Sequence, residues 1–256
     1  NEFSFIDELN SKKINTVILS LNNIDEFDRK KYIKILYDKN ISLLNFDRNN
    51  NLVNLSQEID IGSLLFREEA INEINLDFEG YSILITGGAG SIGSELSRQI
   101  LKLNPKKLLI VDTSEYNLFV LTKELYLIKN DYSLSTDIVT KLCDVSNISD
   151  LKYIIGSSII DYVFHAAAYK HVPIVENSEN ISEAIRNNIF GTKVICDVSD
   201  ECNVNKVVVI STDKAVRPTS VMGASKRLGE MILQALYEKR SKKEITKFSM
   251  VRFGNV

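Results

Sequence analysis

Short apolar runs alternate with longer amphipathic stretches along most of the chain, from residue 83 to residue 253. The apolar runs indicate buried strands, and the stretches between them have the length of helices. Because parallel strands need a crossover connection, this alternation predicts an α/β fold with a doubly wound parallel sheet. The predicted strands are 83–86, 107–112, 137–142, 159–165, 206–210 and 247–253, and the predicted helices begin at Ser94, at Glu115, near Leu151, at Ile181 (ending near Cys202) and at Met222.

A smaller strand–helix–strand pattern precedes this series. It consists of the apolar run NTVILSL, a charged helical stretch over 24–38 and the run ISLLNF. We expect residues 1–58 to form a small, partial α/β unit, 59–80 to connect the units, and 81–256 to form the main domain. Since the chain begins with Asn1 and stops just after an apolar strand, we expect a fragment whose C-terminal substrate-binding part is truncated.

Composition narrows the classes of partner. The 256-residue chain has a formal net charge of −3 and scattered lysines, so we expect no nucleic-acid partner. It has no apolar stretch of about 18 residues and no signal-peptide pattern, which predicts neither a membrane span nor export for this piece. With three cysteines that form no C-x-x-C pair and two histidines, no metal site is expected.

A glycine-rich segment, TGGAGSIG, lies directly between the first main strand and the first main helix. Glycines at 87, 90 and 93 permit a tight turn and let backbone N–H groups approach a pyrophosphate, although glycines can also simply mark a turn. Asp112 ends the next strand, where its carboxylate would bind a ribose 2′-hydroxyl and repel a 2′-phosphate; this favours NAD over NADP. The predicted cofactor contacts here are Gly87, Ala89, Gly90, Ser91, Ile92, Gly93, Asp112, Thr113 and Ser114.

Two later strand ends extend this prediction. Asp144 and Val145 follow the third strand and would lie beside the adenine, with an acidic turn as the alternative for Asp144. Ala166, Ala167 and Ala168 follow the fourth strand, where small residues let the backbone run against the cofactor or simply pack tightly. For His165, which precedes them, we favour a structural role.

The chemically richest stretch is STDKAVRPTSVMGASK, residues 211–226, which follows an apolar strand. Polar side chains at the carboxyl end of such a strand lie where open α/β sheets place their chemistry, although an exposed turn is the alternative for Asp213 and Lys214. Met222 lies four residues before Lys226, so both share one helix face.

Several motifs in one order resemble the extended short-chain dehydrogenase/reductases that act on nucleotide sugars. Within them the chain is similar to bacterial UDP-N-acetylhexosamine 4,6-dehydratases, in the long form whose small α/β unit follows a transmembrane region. That form has methionine at the Met222 position, where short forms have tyrosine. The resemblance covers about residues 59–256, and the motifs are ITGGAGSIGSEL, HAAAYKHVPIVE, NNIFGT, STDKAVRPTSVMGASKR and RFGNV.

This resemblance implies a Rossmann-type domain that binds NAD and a UDP-sugar. The implied reaction oxidises C4 of UDP-N-acetylglucosamine, eliminates water between C5 and C6, and returns hydride to C6. The acid role would require a raised pKa for Asp213, and the base role a lowered pKa for Lys214. Thr212 would orient the C4 hydroxyl, and Asp213, if it starts ionised, could take that hydroxyl's proton and later deliver it at C6. The implied catalytic residues are Thr212, Asp213, Lys214, Met222 and Lys226, of which Lys226 also binds the nicotinamide ribose.

The resemblance also implies substrate contacts and a location. The implied substrate-binding residues are Lys170, His171, Glu176, Asn188, Arg252 and Asn255. In the parent protein, the catalytic domain would face the cytoplasm at the bacterial inner membrane, attached only through the absent transmembrane region. Homo-oligomerisation is left open. Two other functions also stay open: a nucleotide-sugar 4-epimerase, and a non-catalytic NAD-binding regulatory module.

Overall fold

The computed structural model describes residues 14–19, 36, 41–46, 52–54, 77–239 and 246–254. The chain divides into two compact units, Asn1–Asn75 and Leu76–Val256. Most of the predicted connector, 59–76, lies outside the described residues, so the predicted boundary at residue 58 stays a prediction.

The first unit contains a small mixed sheet. Strands β1 (Thr16–Leu19) and β2 (Ser42–Phe46) pair in parallel, as a strand–helix–strand pattern predicts. The predicted helix over 24–38 lies outside the described residues except for Leu36, which is helical and buried. Strand β3 (Leu52–Asn54) was missed because polar residues surround its two apolar positions; it pairs with β2 in antiparallel orientation, which needs only a short connection.

The second unit is built on a six-stranded parallel sheet, which confirms the predicted fold class. Its order is β6-β5-β4-β7-β8-β9, so the chain first builds outward on one side of β4 and then on the other. This reversal between β4 and β7 is the switch point at which open α/β sheets bind ligands. The strands are β4 (Ser82–Thr86), β5 (Lys107–Asp112), β6 (Asp137–Leu142), β7 (Tyr162–His165), β8 (Lys206–Thr212) and β9 (Lys247–Phe253).

Helices connect these strands. The first begins at Ser91, three residues before the predicted start, because Gly90 is its N-cap and the glycine motif enters the first turn. A short helix after β7 and a 3₁₀ turn (Asp213–Ala215) after β8 were not predicted. The helices are α1 (Ser91–Lys102), α2 (Glu115–Asp131), α3 (Ile148–Ser158), α4 (Val172–Val175), α5 (Ile181–Ile185), α6 (Gly191–Glu201) and α7 (Val221–Lys239).

The helix predicted from Ile181 to Cys202 is interrupted. A π-helical segment (Arg186–Phe190) separates α5 from α6. Its widened turn contains Asn188, whose buried side chain bonds to groups outside the helix. Sequence periodicity could not show this break, because a π turn adds a single residue to an otherwise helical pattern.

The core lies on both faces of the sheet. Alternate residues of one strand belong to different clusters: Leu109 packs with Val163 and Val207, whereas its neighbours Leu108 and Ile110 pack on the opposite face. All five of these residues are fully buried. A strand that is buried on both faces reads as a continuous apolar run, which is why the sequence pattern located the central strands closely. The exception is β7, which begins three residues after its predicted start because Ile159 is the C-cap of α3. Among the helices within the described ranges, none has the length and apolarity to cross a membrane.

His165 ends β7 at the switch point and is completely buried. Its Nδ1 lies 2.7 Å from Thr86 Oγ1 on β4, and its Nε2 lies 3.1 Å from Thr192 Oγ1 on α6. Thr192 donates its own hydroxyl proton to the carbonyl of Asn188, so Nε2 carries the ring proton and Nδ1 accepts from Thr86. His165 therefore joins two strands and a helix, in agreement with its predicted structural role.

This burial makes the stability depend on pH. Desolvation, and secondarily the charge of Lys226, lower the pKa of His165 to about 3. Between about pH 6.5 and this value the unfolded chain binds a proton that the folded chain excludes, so stability is lost as the pH falls through that window. When the pH changes from about 7 to about 5, we expect the free energy of unfolding to fall by about 2 kcal/mol more in the native protein than in His165→Gln.

Urea unfolding of both proteins at the two pH values measures this difference. The exposed His171, changed in His171→Gln, is the matched control and should keep the native pH dependence. An equal loss of stability in the native protein and in His165→Gln would contradict the assignment.

Candidate active site

The glycine turn after β4 is made possible by a very close backbone contact. Gly87 has a φ of +61°, and a Cβ there would lie 2.5 Å from the Cα of Ala167. A Cβ on Gly93 would lie 2.1 Å from the carbonyl oxygen of Gly87. Both positions therefore exclude any side chain, and the predicted reason for these glycines is present in the structure.

The turn leads into the N-terminus of α1, which is open to a ligand. Gly90 caps the helix without a side-chain hydrogen bond, and the first turn holds no acidic residue. The amides of the first helical turn have no acceptor within the helix, and the helix dipole adds positive potential there. Such an end suits a phosphate group. The first-turn residues Ser91, Ile92 and Gly93 line the adjoining cleft.

Asp112 is fixed at the end of β5 beside this turn. Its Oδ2 accepts a hydrogen bond from the Ala89 amide at 3.0 Å, and its Oδ1 accepts one from the Ser114 amide at 2.9 Å. A carboxylate has about four lone-pair sites, so two stay free for hydroxyl groups. Asp112 and Thr113 both line a second cleft beside the glycine turn. The Ser114 side chain instead caps α2 by accepting a hydrogen bond from the Asn117 amide.

The segment after β6 divides between a cleft wall and an ion pair. Val145 lines the cleft beside Asp112, together with the unpredicted Cys143. Asp144 instead accepts hydrogen bonds from Ser146 and from Arg186 Nη1, the latter at 2.9 Å. Partial burial raises the pKa of Asp144, but these bonds lower it below its usual value overall. Asp144 therefore stabilises a turn, which was the alternative to a position beside the adenine.

Three clefts meet along the switch point. The Asp112 cleft has a volume of about 340 Å³, the helix cleft, between α1 and α4–α5, about 460 Å³, and the acid–base cleft, at the end of β8, about 310 Å³. Ala166 and Ala168 line all three, so they form one continuous groove. Lys170 and His171 line the helix and acid–base clefts, whereas Glu176 is exposed at the C-terminus of α4, outside the residues that line them.

Thr212, Asp213 and Lys214 stand together at the carboxyl end of β8. Thr212 Oγ1 donates to Asp213 Oδ1 at 3.0 Å, and Lys214 Nζ lies 3.6 Å from the same oxygen. The hydrogen bond from Thr212, followed by the charge of Lys214, holds the pKa of Asp213 below its usual value, opposite to the predicted rise. The side chain of Lys214 is 45% exposed.

Met222 and Lys226 lie on one face of α7, as their spacing predicts, and both line the acid–base cleft. Met222 is buried against Val175 and Ala184. Lys226 donates to the carbonyl oxygen of Ile210 at 2.9 Å. Burial lowers the pKa of Lys226 to about 8, although the charge of Glu230 opposes this effect.

Asn188 differs from its predicted role. It is fully buried; its Oδ1 accepts from the Tyr169 amide at 2.8 Å, and its Nδ2 donates to the Tyr169 carbonyl and to Ser225 Oγ, each at 3.0 Å. These bonds occupy its amide and leave no surface for a ligand. The predicted direct contact with the sugar therefore does not fit, and Asn188 instead fixes Tyr169, which lines the groove, relative to α7.

Arg252 contacts the carboxylate of Glu230, a residue that was not predicted as part of the site. Its Nε and Nη2 each donate to Glu230 at 2.7 Å, and Glu230 is only 1% exposed. The spacing from Lys226 to Glu230, one helical turn on the same face, was the available signal. Asn255 lies outside the described residues. In the Asp112 cleft, the other lining residues that were not predicted are Asn117, Cys143, Tyr169 and Asn187.

The chain matches the family described as polysaccharide biosynthesis protein over residues 83–256. Capsular polysaccharide biosynthesis protein CapD from Staphylococcus aureus is 40% identical over 80% of this chain and 33% of CapD. A UDP-N-acetylglucosamine 4,6-dehydratase (inverting) from Campylobacter jejuni is 34% identical, and a UDP-glucose 4-epimerase from Rickettsia typhi 36% identical, each over 70% of this chain and 50% of that protein. The chain thus spans between a third and half of the length of these relatives.

The solved structure of Pen from Bacillus thuringiensis shares the fold. It is 34% identical, with a TM-score of 0.63, over 71% of this chain and 52% of that one. The family match covers the whole parallel sheet, from β4 to β9, together with the glycine turn and the residues after β8. The chain therefore belongs to the polysaccharide biosynthesis protein family.

Proposed function

We propose that this chain is the NAD-binding catalytic part of an enzyme that converts UDP-N-acetylglucosamine to a UDP-4-keto-6-deoxy-N-acetylhexosamine for glycan biosynthesis. The observation that carries the proposal is the continuous groove, which joins the glycine turn to Thr212 and Lys214 at the end of β8, with Asp213 bonded to Thr212 between them. Similarity to the Campylobacter 4,6-dehydratase supports the substrate and reaction.

The groove fits NAD at three points. The open N-terminus of α1 would bind the pyrophosphate, Asp112 would accept from the adenosine ribose hydroxyls, and Ala166–Ala168 would allow close approach. When bound, NAD supplies the hydride acceptor for C4 oxidation and the donor for the later return to C6. Lys226 would bind the nicotinamide ribose, because its Nζ already lies at the junction of α7 and β8.

Water loss requires an acid and a base after C4 becomes a ketone, because only then is the C5 proton acidic enough to remove. Lys214, whose side chain lines the cleft and is 45% exposed, would take that proton. Asp213 would then protonate the departing C6 hydroxyl. Lys170 and His171 face the same cleft and would contact the sugar or its diphosphate. Contacts of Arg252, Glu176 and Asn255 with substrate stay predictions.

The first proton leaves from the C4 hydroxyl, and a thioether such as Met222 cannot accept it. The lowered pKa of Asp213 keeps this carboxylate ionised at the start of the cycle. This supports the hypothesis in which Thr212 orients the hydroxyl while Asp213 takes its proton and later delivers it at C6. One carboxylate would thus serve both steps, first as base and then as acid.

A nucleotide-sugar 4-epimerase is the second candidate, favoured by similarity to the Rickettsia epimerase. Such an enzyme rotates or reorients a 4-keto intermediate and needs no separate acid–base pair for C5 and C6. A regulatory NAD-binding module would carry out neither reaction. The predicted membrane anchor of the parent protein, its cytoplasmic orientation and any homo-oligomer stay predictions.

Product mass distinguishes these functions. Incubating the parent protein with UDP-N-acetylglucosamine and NAD should yield a product lighter by one water. An isomer of unchanged mass would indicate the epimerase, and unchanged substrate would indicate the regulatory module. Either of these two results would overturn the proposed dehydration.

Variants of the acid–base pair should stop at different steps. Lys214→Ala should still oxidise C4, giving reduced nicotinamide in a single turnover, but should release no water, because C5 keeps its proton. Asp213→Asn should slow C4 oxidation itself by about 100-fold or more, as expected for loss of a general base. Absorbance of the reduced nicotinamide and product mass report the two steps.

Asp197→Asn, in an exposed helical ion pair with Lys193, is the matched control and should react normally. Full dehydration by Lys214→Ala would remove Lys214 from its role. Normal C4 oxidation by Asp213→Asn would show that another group takes the first proton.

Cofactor binding should depend on the absence of a side chain at Gly93. In Gly93→Ala the new methyl group would lie 2.1 Å from the Gly87 carbonyl oxygen, so the turn must move and its amides lose their alignment. We expect NAD affinity, measured by calorimetry, to fall at least about tenfold. Gly156→Ala is the matched control, since a Cβ on this helical glycine meets no atom within 4 Å. Unchanged NAD affinity in Gly93→Ala would contradict the proposed binding mode.

A further inference from the structure

Glu230 is a buried carboxylate for which the proposed reaction has no direct use. It lies on α7, one turn after Lys226, and is 1% exposed. A buried carboxylate is costly unless its charge is compensated and its oxygens are hydrogen-bonded. The partners that meet this cost identify what Glu230 does.

Four hydrogen bonds saturate the carboxylate. Oε1 accepts from Ser211 Oγ at 2.8 Å and from Arg252 Nε at 2.7 Å. Oε2 accepts from Arg252 Nη2 at 2.7 Å and from Arg227 Nη1 at 2.9 Å. All of about four lone-pair sites are therefore occupied. The bond from Arg252, followed by those from Ser211 and Arg227, lowers the pKa of Glu230 to about 2 despite its burial.

These partners belong to the ends of two neighbouring strands. Ser211 of β8 pairs in register with Arg252 of β9, so one carboxylate from α7 holds adjacent positions of the sheet. The next residues, Thr212 on β8 and Phe253 on β9, both line the acid–base cleft. Ser211 lines this cleft as well, so Glu230 contacts a lining residue of β8 and the residue of β9 that precedes Phe253.

Lys226 makes the equivalent contact one turn earlier. Its Nζ donates to the carbonyl oxygen of Ile210, the residue before Ser211. Successive turns of α7 thus hold successive residues of β8. The distance between Lys226 on the helix and the pair Asp213–Lys214 beyond the strand depends on this double attachment.

Charge couples the same two residues. The carboxylate of Glu230 raises the pKa of Lys226 and so opposes the larger effect of burial. The other charged or titratable groups around Lys226 are the neutral His165 on β7, Lys170 and His171 after β7, Asp213 and Lys214 after β8, Arg227 on α7, and Arg252 on β9.

We propose that Glu230 is a positioning residue, which holds the Ser211 end of β8 and the Arg252 end of β9 in register with Lys226 on α7. Its role rests on the proposed function, because the arrangement that it maintains is that of Asp213 and Lys214 relative to Lys226. Glu230 itself contacts neither substrate nor cofactor in this assignment.

The first test is a neutral variant of the same size. In Glu230→Gln an amide NH₂ replaces one carboxylate oxygen and faces two donors, so two of the four bonds are lost together with the negative charge, and the ends of β8 and β9 are held less firmly. We expect kcat for dehydration to fall about 100-fold with little change in KM, the effect of a misplacement of about 1 Å. Glu124→Gln is the matched control, because Glu124 also accepts two bonds from one arginine, Arg98, but on the surface of α2. It should keep native kcat.

A second variant removes a single bond and retains the buried charge. Ser211→Ala deletes only the hydroxyl group that donates to Glu230 Oε1, so the chain should fold. Thermal unfolding will verify that it does. We expect kcat to fall about tenfold with unchanged KM, because the attachment of β8 to α7 loses one of two contacts. A native kcat in Ser211→Ala would overturn the proposal, even if Glu230→Gln does not fold.

A readout without catalysis separates this proposal from the proposed function. NMR titration of Lys226 in the cofactor-free chain should give a lower midpoint in Glu230→Gln and a native midpoint in Ser211→Ala and Glu124→Gln. A native midpoint in folded Glu230→Gln would overturn the coupling. If the native protein dehydrates no UDP-sugar yet these midpoints differ as expected, the proposed function fails while the coupling of Glu230 to Lys226 stands.

Discussion

The contact between the turn after β4 and the segment after β7 determines where the rest of the groove lies. Gly87 approaches Ala167 so closely that a Cβ would lie 2.5 Å from its Cα. β4 and β7 are neighbours in the sheet, and beyond this contact the chain leads away from them in opposite directions. Because only glycine and alanine lie at the contact, a groove stays open above the sheet instead of a filled core. The alanines after β7 then line all three clefts, so ligand groups bound in one can reach the next.

Charge is distributed unevenly along this groove. One end presents the carboxylate of Asp112, which suits hydroxyl groups, and the middle presents the amide end of α1, which suits phosphates. The other end is lined by Lys170, Lys214 and Lys226, with the exposed carboxylate of Asp213 beside Lys214. A dinucleotide lying along the groove, followed by an anionic sugar nucleotide, matches this order of potentials.

The elements that sequence analysis located well are those whose pattern follows from burial. Strands β5, β6 and β9 begin and end at the predicted residues. For β5 the reason is burial, because its four central residues are covered on both faces and are all apolar. The glycine turn was predicted for a similar reason, since only glycine tolerates its backbone contacts. What could not be predicted depends on tertiary partners: the π turn that buries Asn188, and the bonds that saturate Glu230, join residues distant in sequence. The pKa direction of Asp213 was missed because it depends on the local rotamer of Thr212.

The presence of methionine at position 222 changes which contacts the proposed reaction depends on. A tyrosine at this position could take the proton of the C4 hydroxyl through its phenolic oxygen. It would share one rigid helix with Lys226, and the spacing of the two residues would follow from helical geometry alone. Here the residues proposed as base and acid, Asp213 and Lys214, lie instead on the 3₁₀ turn after β8, while Lys226 stays on α7. Their spacing then depends on how firmly strand and helix are joined. Two bonds, from Lys226 to Ile210 and from Ser211 to Glu230, join the strand to the helix, so in the proposed reaction the rate would depend on Glu230, which touches no ligand.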